Sequence, residues 1–204
     1  MLRNSLTQLD EIIKSLPLLT PTCSTWSGIA LNSLDEFIAD HASCERKAHA
    51  SAMMMVNRYP DYPELQRRMI SLALEELIHF QQLFEILTAR NIRLPSDQPD
   101  PYVKSLMSVA RDPKDFHLLD RLMIAAVIEA RSAERFCLFA AKLPEGDLKD
   151  FYVKFAVEEA RHFPYFIETA HLLFPSSDIN LALDRVLKQD ALAVQSLPIL
   201  PTVH

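Results

Sequence analysis

Two short stretches carry residue types and spacing that suit chemistry: Glu76-Leu77-Ile78-His79 and Glu159-Ala160-Arg161-His162. On a helix, residues three apart share a face, so each turn aims one carboxylate and one imidazole at a common point. Those donors suit a transition-metal ion. A single Glu-x-x-His turn is common on solvated helices, and a lone histidine on an apolar face is ordinarily a hydrogen-bonded core residue. Here the pattern occurs twice, each time inside an apolar stripe. Glu75 and Glu158, one residue earlier, do not fit, because three residues on they offer Ile78 and Arg161.

Each copy is preceded by another acid at a near-constant interval. Glu45 precedes Glu76 by 31 residues and Glu129 precedes Glu159 by 30. Glu134 competes with Glu129 but precedes Glu159 by only 25, more than one turn too close to its hairpin. The spacing selects Glu45, Glu76, His79, Glu129, Glu159 and His162 as metal ligands. Four carboxylates balance two divalent cations. Six side chains leave coordination positions open, which suits dioxygen or water rather than a purely structural ion.

Long helices must position these residues. Residues 33–58 present Leu34, Ile38, His41, Glu45, Ala48, Ala52, Met55 and Tyr59 at helical spacing, with Asn32 or Ser33 as cap. A carboxylate in such a stripe is costly unless a cation compensates it. Residues 59–63, YPDYP, form a turn, and Pro63 opens a second helix over about 64–92, with Leu65, Met69, Leu72, Glu76, His79, Leu83 and Ile86 on its core side. A connector with a short helix near Tyr102 to Ala110 is long enough to cross a bundle from end to end.

The third helix, about 116–142, places Leu118, Leu122, Ala126, Glu129, Ala133, Phe136 and Ala140 on one face. After LPEGD, Asp147 is a candidate cap for a fourth helix over about 148–174, carrying Phe155, Glu159, His162, Phe166, Ala170 and Leu173. Pro164 should kink this helix beside the metal site. An N-terminal arm with short helices (residues 1–32, one of them from Leu6 to Ser15) precedes the four long helices. A last helix, capped by Ser176 or Ser177 and running to about Gln195, follows them. The apolar tail LPILPTVH is expected on the outside.

The expected fold is all-α: a single ferritin-like domain over residues 1–204, with a four-helix bundle at 33–174 and one long crossover. One Glu from each of two helices and one Glu-x-x-His from each of two others is the ligand pattern of ferritin-like di-iron and di-manganese proteins. His41 and His49, each one turn from Glu45, read as outer partners or core residues, and Met53, Met54 and Met55 as packing. Arg131 and Arg161 read equally well as outer partners of the ligands and as exposed residues.

Composition agrees. The chain has 204 residues, 49% of them hydrophobic, and only two glycines, so tight hairpins and strands are not expected. No uninterrupted apolar run is long enough for a membrane span, and the N-terminus carries acids where a signal peptide would be apolar. Three scattered cysteines, Cys23, Cys44 and Cys137, do not suggest a disulfide framework. A cytoplasmic location follows as an expectation. A net charge of -6 disfavours a general nucleic-acid coat protein but permits a local basic patch.

The phrases DHASCERKAHA, LEELIHFQQ, IEARSAERF and VEEARHF, with the opening PLLTPTCSTW, resemble the tRNA 2-methylthio-N6-isopentenyladenosine hydroxylases, the MiaE family. The resemblance covers nearly the whole chain. It implies a non-haem di-iron monooxygenase that hydroxylates the isopentenyl group of the modified adenosine beside the tRNA anticodon, with two iron ions (Fe2+/Fe3+) per chain and dioxygen as co-substrate. The family's iron ligands would fall on the same six residues. No flavin, nicotinamide or iron–sulfur motif is visible, so the reaction implies an external electron donor such as a ferredoxin and its reductase.

Candidate phosphate contacts are Arg67, Arg68, Arg90, Arg93, Lys104, Arg111 and Lys114, but each reads more readily as part of a solvated helix face, and no tRNA site is assigned on them. The alternative reading is a ferritin- or rubrerythrin-like iron- or peroxide-handling oxidase, although the Cys-x-x-Cys tail typical of rubrerythrins is missing. A non-catalytic helical bundle whose Glu/His pairs are structural is a third reading, and it predicts no stoichiometric iron.

Overall fold

A computed structural model describes residues 2–111 and 116–204, with side chains described from residue 6 onward. Among them every regular element is an α-helix: α1 Leu2–Ser15, α2 Trp26–Asn32, α3 Leu34–Arg58, α4 Pro63–Ala89, α5 Pro101–Met107, α6 His117–Lys142, α7 Asp147–Glu159, α8 His162–His171 and α9 Ser176–Ser196. Lys114, a candidate phosphate contact, lies outside the described residues.

The chain divides into two compact units. The first comprises residues 32–98 and 201–203 and is built on α3 and α4, packed along each other. Asp35 and Glu36 occupy the first turn of α3, where negative charge suits the helix dipole. Its buried face holds Phe37, Ile38, His41, Ala42, Glu45, Ala52 and Met55. Pro63 stands at the start of α4, where its missing N–H costs nothing. That helix ends at Ala89, three residues before the expected boundary. Asn91 adopts φ 57, and the Ile92 and Asn91 N–H groups bond the carbonyls of Leu87 and Thr88 at 2.9 and 3.1 Å. This is a Schellman ending, which asparagine tolerates better than most residues.

The second unit comprises residues 1–31, 99–200 and 204. Its centre is α6, against which α1, α5, α7, α8 and α9 all pack. Apolar or small residues on every side of α6 explain this position: Leu119, Met123, Val127, Ala130 and Cys137 are as buried as the expected stripe of Leu118, Leu122, Ala126, Ala133, Phe136 and Ala140. Phe136 meets Phe155 edge-on at 5.2 Å between ring centroids, and Phe139 meets Tyr152 edge-on at 4.8 Å.

Three local expectations need correction here. The N-cap of α7 is Gly146 rather than Asp147: Gly146 has φ 147, open in practice only to glycine, and Asp147 instead occupies the acidic first turn. The expected single helix over 148–174 is two helices, interrupted at Ala160 and Arg161. Pro164 cannot donate to the Ala160 carbonyl four residues back, and its ring crowds that carbonyl, so the ladder parts there. The chain turns tightly through Arg161 N–H to Glu158 O at 3.1 Å and resumes with Tyr165 N–H to Arg161 O at 3.2 Å. The break therefore lies inside the second Glu-x-x-His turn.

The C-terminal tail is the third correction, because only part of it lies outside. Ile199 and Leu200 are exposed, but Val203 is fully buried and its N–H donates to Asp40 Oδ2 at 2.7 Å. His204 stacks on Tyr102 at 5.2 Å between centroids and contacts Ser132 Oγ at 2.8 Å. The short helices also differ slightly from expectation: α1 starts before Leu6, and α5 runs from Pro101 to Met107, capped by the Asp100 carboxylate.

Candidate metal centre

In the first unit, Glu45 on α3 and Glu76 and His79 on α4 project from buried positions, with relative exposures of 5%, 1% and 3%. Their ligand atoms lie within 4.8 Å of one another. The imidazole Nδ1 of His79 is 3.2 Å from Glu76 Oε2 and 3.8 Å from Glu45 Oε2. His41, one turn before Glu45 and fully buried, places Nε2 3.0 Å from Glu45 Oε1. His49 is turned elsewhere, with Nδ1 2.8 Å from the Ala73 carbonyl oxygen.

The second unit repeats the arrangement. Glu129 on α6, Glu159 at the end of α7 and His162 at the start of α8 are all buried, and their ligand atoms also lie within 4.8 Å of one another. His162 Nδ1 is 3.0 Å from Glu159 Oε2 and 3.6 Å from Glu129 Oε2. Glu-x-x-His is held together by one continuous helix in the first set and by two helices meeting at a break in the second. The imidazole-to-carboxylate distances nevertheless agree within about 0.2 Å.

Each set thus has the donors of a divalent metal site. Two carboxylates match the charge of one divalent cation, and a neutral imidazole adds a nitrogen donor. Ligand atoms ~2.1 Å from a common ion and at right angles to each other are ~3.0 Å apart, close to the shorter distances in both sets. The buried Glu/His sets are compatible with iron.

Glu134, the competitor of Glu129, is buried in a different cluster. It accepts hydrogen bonds from Arg131 Nη1 and from the backbone N–H and hydroxyl of Thr22. Arg131 is fully buried, and its remaining bonds go to Asp190, the Thr22 hydroxyl and the Thr20 carbonyl, whereas Arg161 is exposed. Among the candidate phosphate contacts, Arg67, Arg90 and Arg111 each pair with an acid, Glu64, Asp35 and Asp120 respectively. Burial moves the Cys137 thiol up to about 12, helped by the charges of Glu134 and Asp10. All three cysteines are free.

An all-α chain with two buried Glu/Glu/His sets has the makings of a ferritin-like carboxylate–histidine metalloprotein, and that fold class is the one found. One solved structure, titled "Protein 43 with aldehyde deformylating oxygenase activity from Synechococcus", superimposes with a TM-score of 0.84 at 32% identity, covering 90% of this chain and 92% of that one. The family model described as tRNA-(MS[2]IO[6]A)-hydroxylase (MiaE) matches residues 7–204, and the chain belongs to that family.

Two relatives share the name tRNA 2-(methylsulfanyl)-N(6)-isopentenyladenosine(37) hydroxylase. The one from Pseudomonas putida is 31% identical over 176 residues, covering 86% of this chain and 85% of the relative. The one from Salmonella typhimurium is 29% identical over 199 residues, covering 74% and 73%. The chain is an enzyme of the tRNA hydroxylase class, an oxidoreductase of the non-haem di-iron type. No helix among the described residues is long and apolar enough to cross a membrane.

Proposed function

We propose that this chain hydroxylates the isopentenyl group of 2-methylthio-N6-isopentenyladenosine in tRNA, using dioxygen and two irons per chain, one held by Glu45, Glu76 and His79 and the other by Glu129, Glu159 and His162. The single observation that carries the reading is the match to the tRNA hydroxylase family along residues 7–204. A single ferritin-like domain, a cytoplasmic location and an external electron donor such as a ferredoxin and its reductase are parts of the same proposal. When bound, the iron pair supplies dioxygen activation: with two electrons and two protons from outside, one oxygen atom enters the C–H bond and the other leaves as water.

The chain's own residues hold and shield that chemistry. Four carboxylates supply the negative charge that holds two divalent cations in a buried setting. His79 and His162 must be neutral to donate, and in each the Nδ1 atom faces the carboxylates of its own set. His41, against Glu45 Oε1, fixes the orientation of that carboxylate, the usual task of a group just outside a metal's ligands. Ligands no more than 8% exposed keep bulk water from a reactive centre.

The test is mass spectrometry of hypomodified tRNA after incubation with iron-loaded protein, dioxygen and a reductant. A gain of one oxygen atom on the prenylated adenosine is expected. Unchanged tRNA with rapid ferrous oxidation would favour an iron-handling oxidase, and consumption of an added aldehyde would favour the activity named for the Synechococcus protein. Metal analysis tests the ligands separately. Glu45→Ala and Glu129→Ala should each lower iron from two per chain to about one or fewer, while Glu134→Ala should retain both. The reverse outcome for Glu129 and Glu134 would refute the assignment.

A further inference from the structure

The Nε and Nη2 atoms of an arginine form the edge of the guanidinium that grips an oxyanion through two parallel hydrogen bonds. In Arg90, Arg111 and Arg131 that edge holds a carboxylate, of Asp35, Asp120 and Asp190 respectively. In Arg46 on α3 the same two atoms are buried, and neither has a hydrogen-bond partner. A charged donor pair withdrawn from water without an acceptor is unfavourable, and an incoming anion is what would satisfy it.

The charges around Arg46 define that anion. Lys47 is the next residue, and Asp97 Oδ1 stands 3.6 Å from Arg46 Nη2 and 3.3 Å from Lys47 Nζ. At 3.6 Å the first contact is an ion pair but not a hydrogen bond. Asp97 is 67% exposed, and exposed pairs of this kind contribute little. Lys47 Nζ makes its short contact, 2.6 Å, with the Gln98 carbonyl oxygen, which ties residues 97 and 98 to α3.

One carboxylate oxygen thus sits loosely between two cations whose donors it does not fill. A phosphodiester carries one negative charge on two non-bridging oxygens, enough to meet both N–H groups of the Arg46 edge and to share one oxygen with Lys47. Both residues directly follow Glu45 on the same helix, so an anion held there is fixed close in sequence to a proposed metal ligand.

We propose that Arg46 and Lys47 bind a backbone phosphate of the RNA substrate, which displaces Asp97 from between them. This site rests on the tRNA reading above. Binding of hypomodified tRNA to the full, iron-loaded chain, followed by filter retention over a range of salt concentrations, tests it without turnover. Loss of one phosphate contact to single-stranded RNA lowers the slope of log affinity against log salt by about 0.7, so Arg46→Gln/Lys47→Gln should flatten the slope by about that amount and weaken binding roughly tenfold. Arg46→Lys should also weaken it, because an ammonium keeps the charge but not the two-pronged edge. Asp97→Asn should tighten binding about two- to fivefold, since no carboxylate then has to leave. Asp61→Asn, an equal change of charge in the turn after α3 and ~20 Å along that helix from Arg46, should not. In a scan of neutral methylphosphonate linkages through the anticodon loop, one linkage should weaken the wild type and leave the double variant unaffected.

A double variant with wild-type affinity and slope would overturn the site and leave the tRNA reading intact. Asp97→Asn and Asp61→Asn acting alike, or a double variant sensitive at every linkage that the wild type senses, would do the same. Asp97 lies outside the helices, so its variant keeps the test open if a change in α3 disturbs folding. Wild-type protein that binds no tRNA at low salt would overturn the site and the tRNA reading together.

Discussion

Replacing Arg131 by methionine removes the one fully buried arginine of α6 from a cluster that holds four separate segments of the second unit. Its Nε and Nη2 reach Asp190 on α9 at 3.1 and 2.6 Å, Nη1 reaches Glu134 and the Thr22 hydroxyl, and Nη2 reaches the Thr20 carbonyl at 2.8 Å. Asp190, with no exposed surface, also accepts from the Tyr102 hydroxyl of α5 at 2.8 Å. Burial pushes the Arg131 pKa down, but the hydrogen bonds and charge of Asp190, then the charge of Glu134, more than reverse this, so the guanidinium stays charged.

Without Arg131, two carboxylates remain in the interior. Breaking a buried pair in this way costs about 3–5 kcal/mol. Arg135 softens the loss. Burial and then the charge of Arg131 hold its pKa down to about 10, so it is charged at neutral pH with or without Arg131 and its interaction with the Glu134 charge persists in the variant. For a chain of this length each kcal/mol moves Tm by about 2–4 °C, so thermal unfolding followed by circular dichroism should show a drop of about 6–20 °C. Arg131→Met/Asp190→Asn should lose less than the sum of its single variants, because the double change leaves one fewer uncompensated charge. Iron content well below Tm should match wild type. A variant that unfolds within 2 °C of wild type, or that loses iron at unchanged stability, would refute this account and put Arg131 with the ligands.

Two further outcomes follow from the same unit. Burial raises the Asp100 pKa, but its hydrogen bond and charge interaction with His204 and the Val103 and Tyr102 N–H groups outweigh that and hold it at about 2. A depressed carboxylate stabilises the fold above its unfolded pKa and ceases to do so as pH falls through the folded value. Asp100→Asn, which can still cap α5, should therefore cost on the order of 1–2 kcal/mol above about pH 4, a deficit that shrinks as pH falls from about 4 through about 2 in acid-unfolding titrations; a deficit constant across that range would contradict the assignment. Thiol titration should find Cys23 reactive, being exposed and lowered by its hydrogen bonds to Thr25, and Cys137 unreactive until the protein unfolds. Rapid labelling of Cys137 in the native protein would count against its burial.

The two Glu/His sets were legible because they break a rule that the rest of each helix obeys. Glu45, Glu76, Glu129 and Glu159 stand where helical spacing calls for apolar residues, and all four are buried. The same signal was present in α9 and was not used. Asp190 follows Ile179, Ala182 and Val186 at core spacing and precedes Ala193, and it is as buried as they are. A buried acid needs a positive partner, and sequence spacing within α9 cannot say whether that partner is a metal or an arginine from another helix. Arg131 was ambiguous for the same reason, since the acids that bury it lie three residues on, at Glu134, and 59 residues away, at Asp190.

The boundaries that sequence misplaced are those set by a single backbone conformation: Asn91 in the left-handed region, Gly146 at φ 147, and Pro164 acting on a carbonyl four residues back. Pro164 shows what such a feature contributes to the site. His79 and His162 stand in nearly the same relation to their glutamates, although only the second set is crossed by a helix break. The break is therefore not needed to bring a carboxylate and an imidazole together, since three residues of α4 do that unaided. It frees the Ala160 and Arg161 backbone to turn between α7 and α8, both of which pack on α6. In the first Glu-x-x-His turn one helix fixes the spacing and direction of the two side chains together; in the second the spacing comes from the turn and the direction from how α7 and α8 each lie against α6.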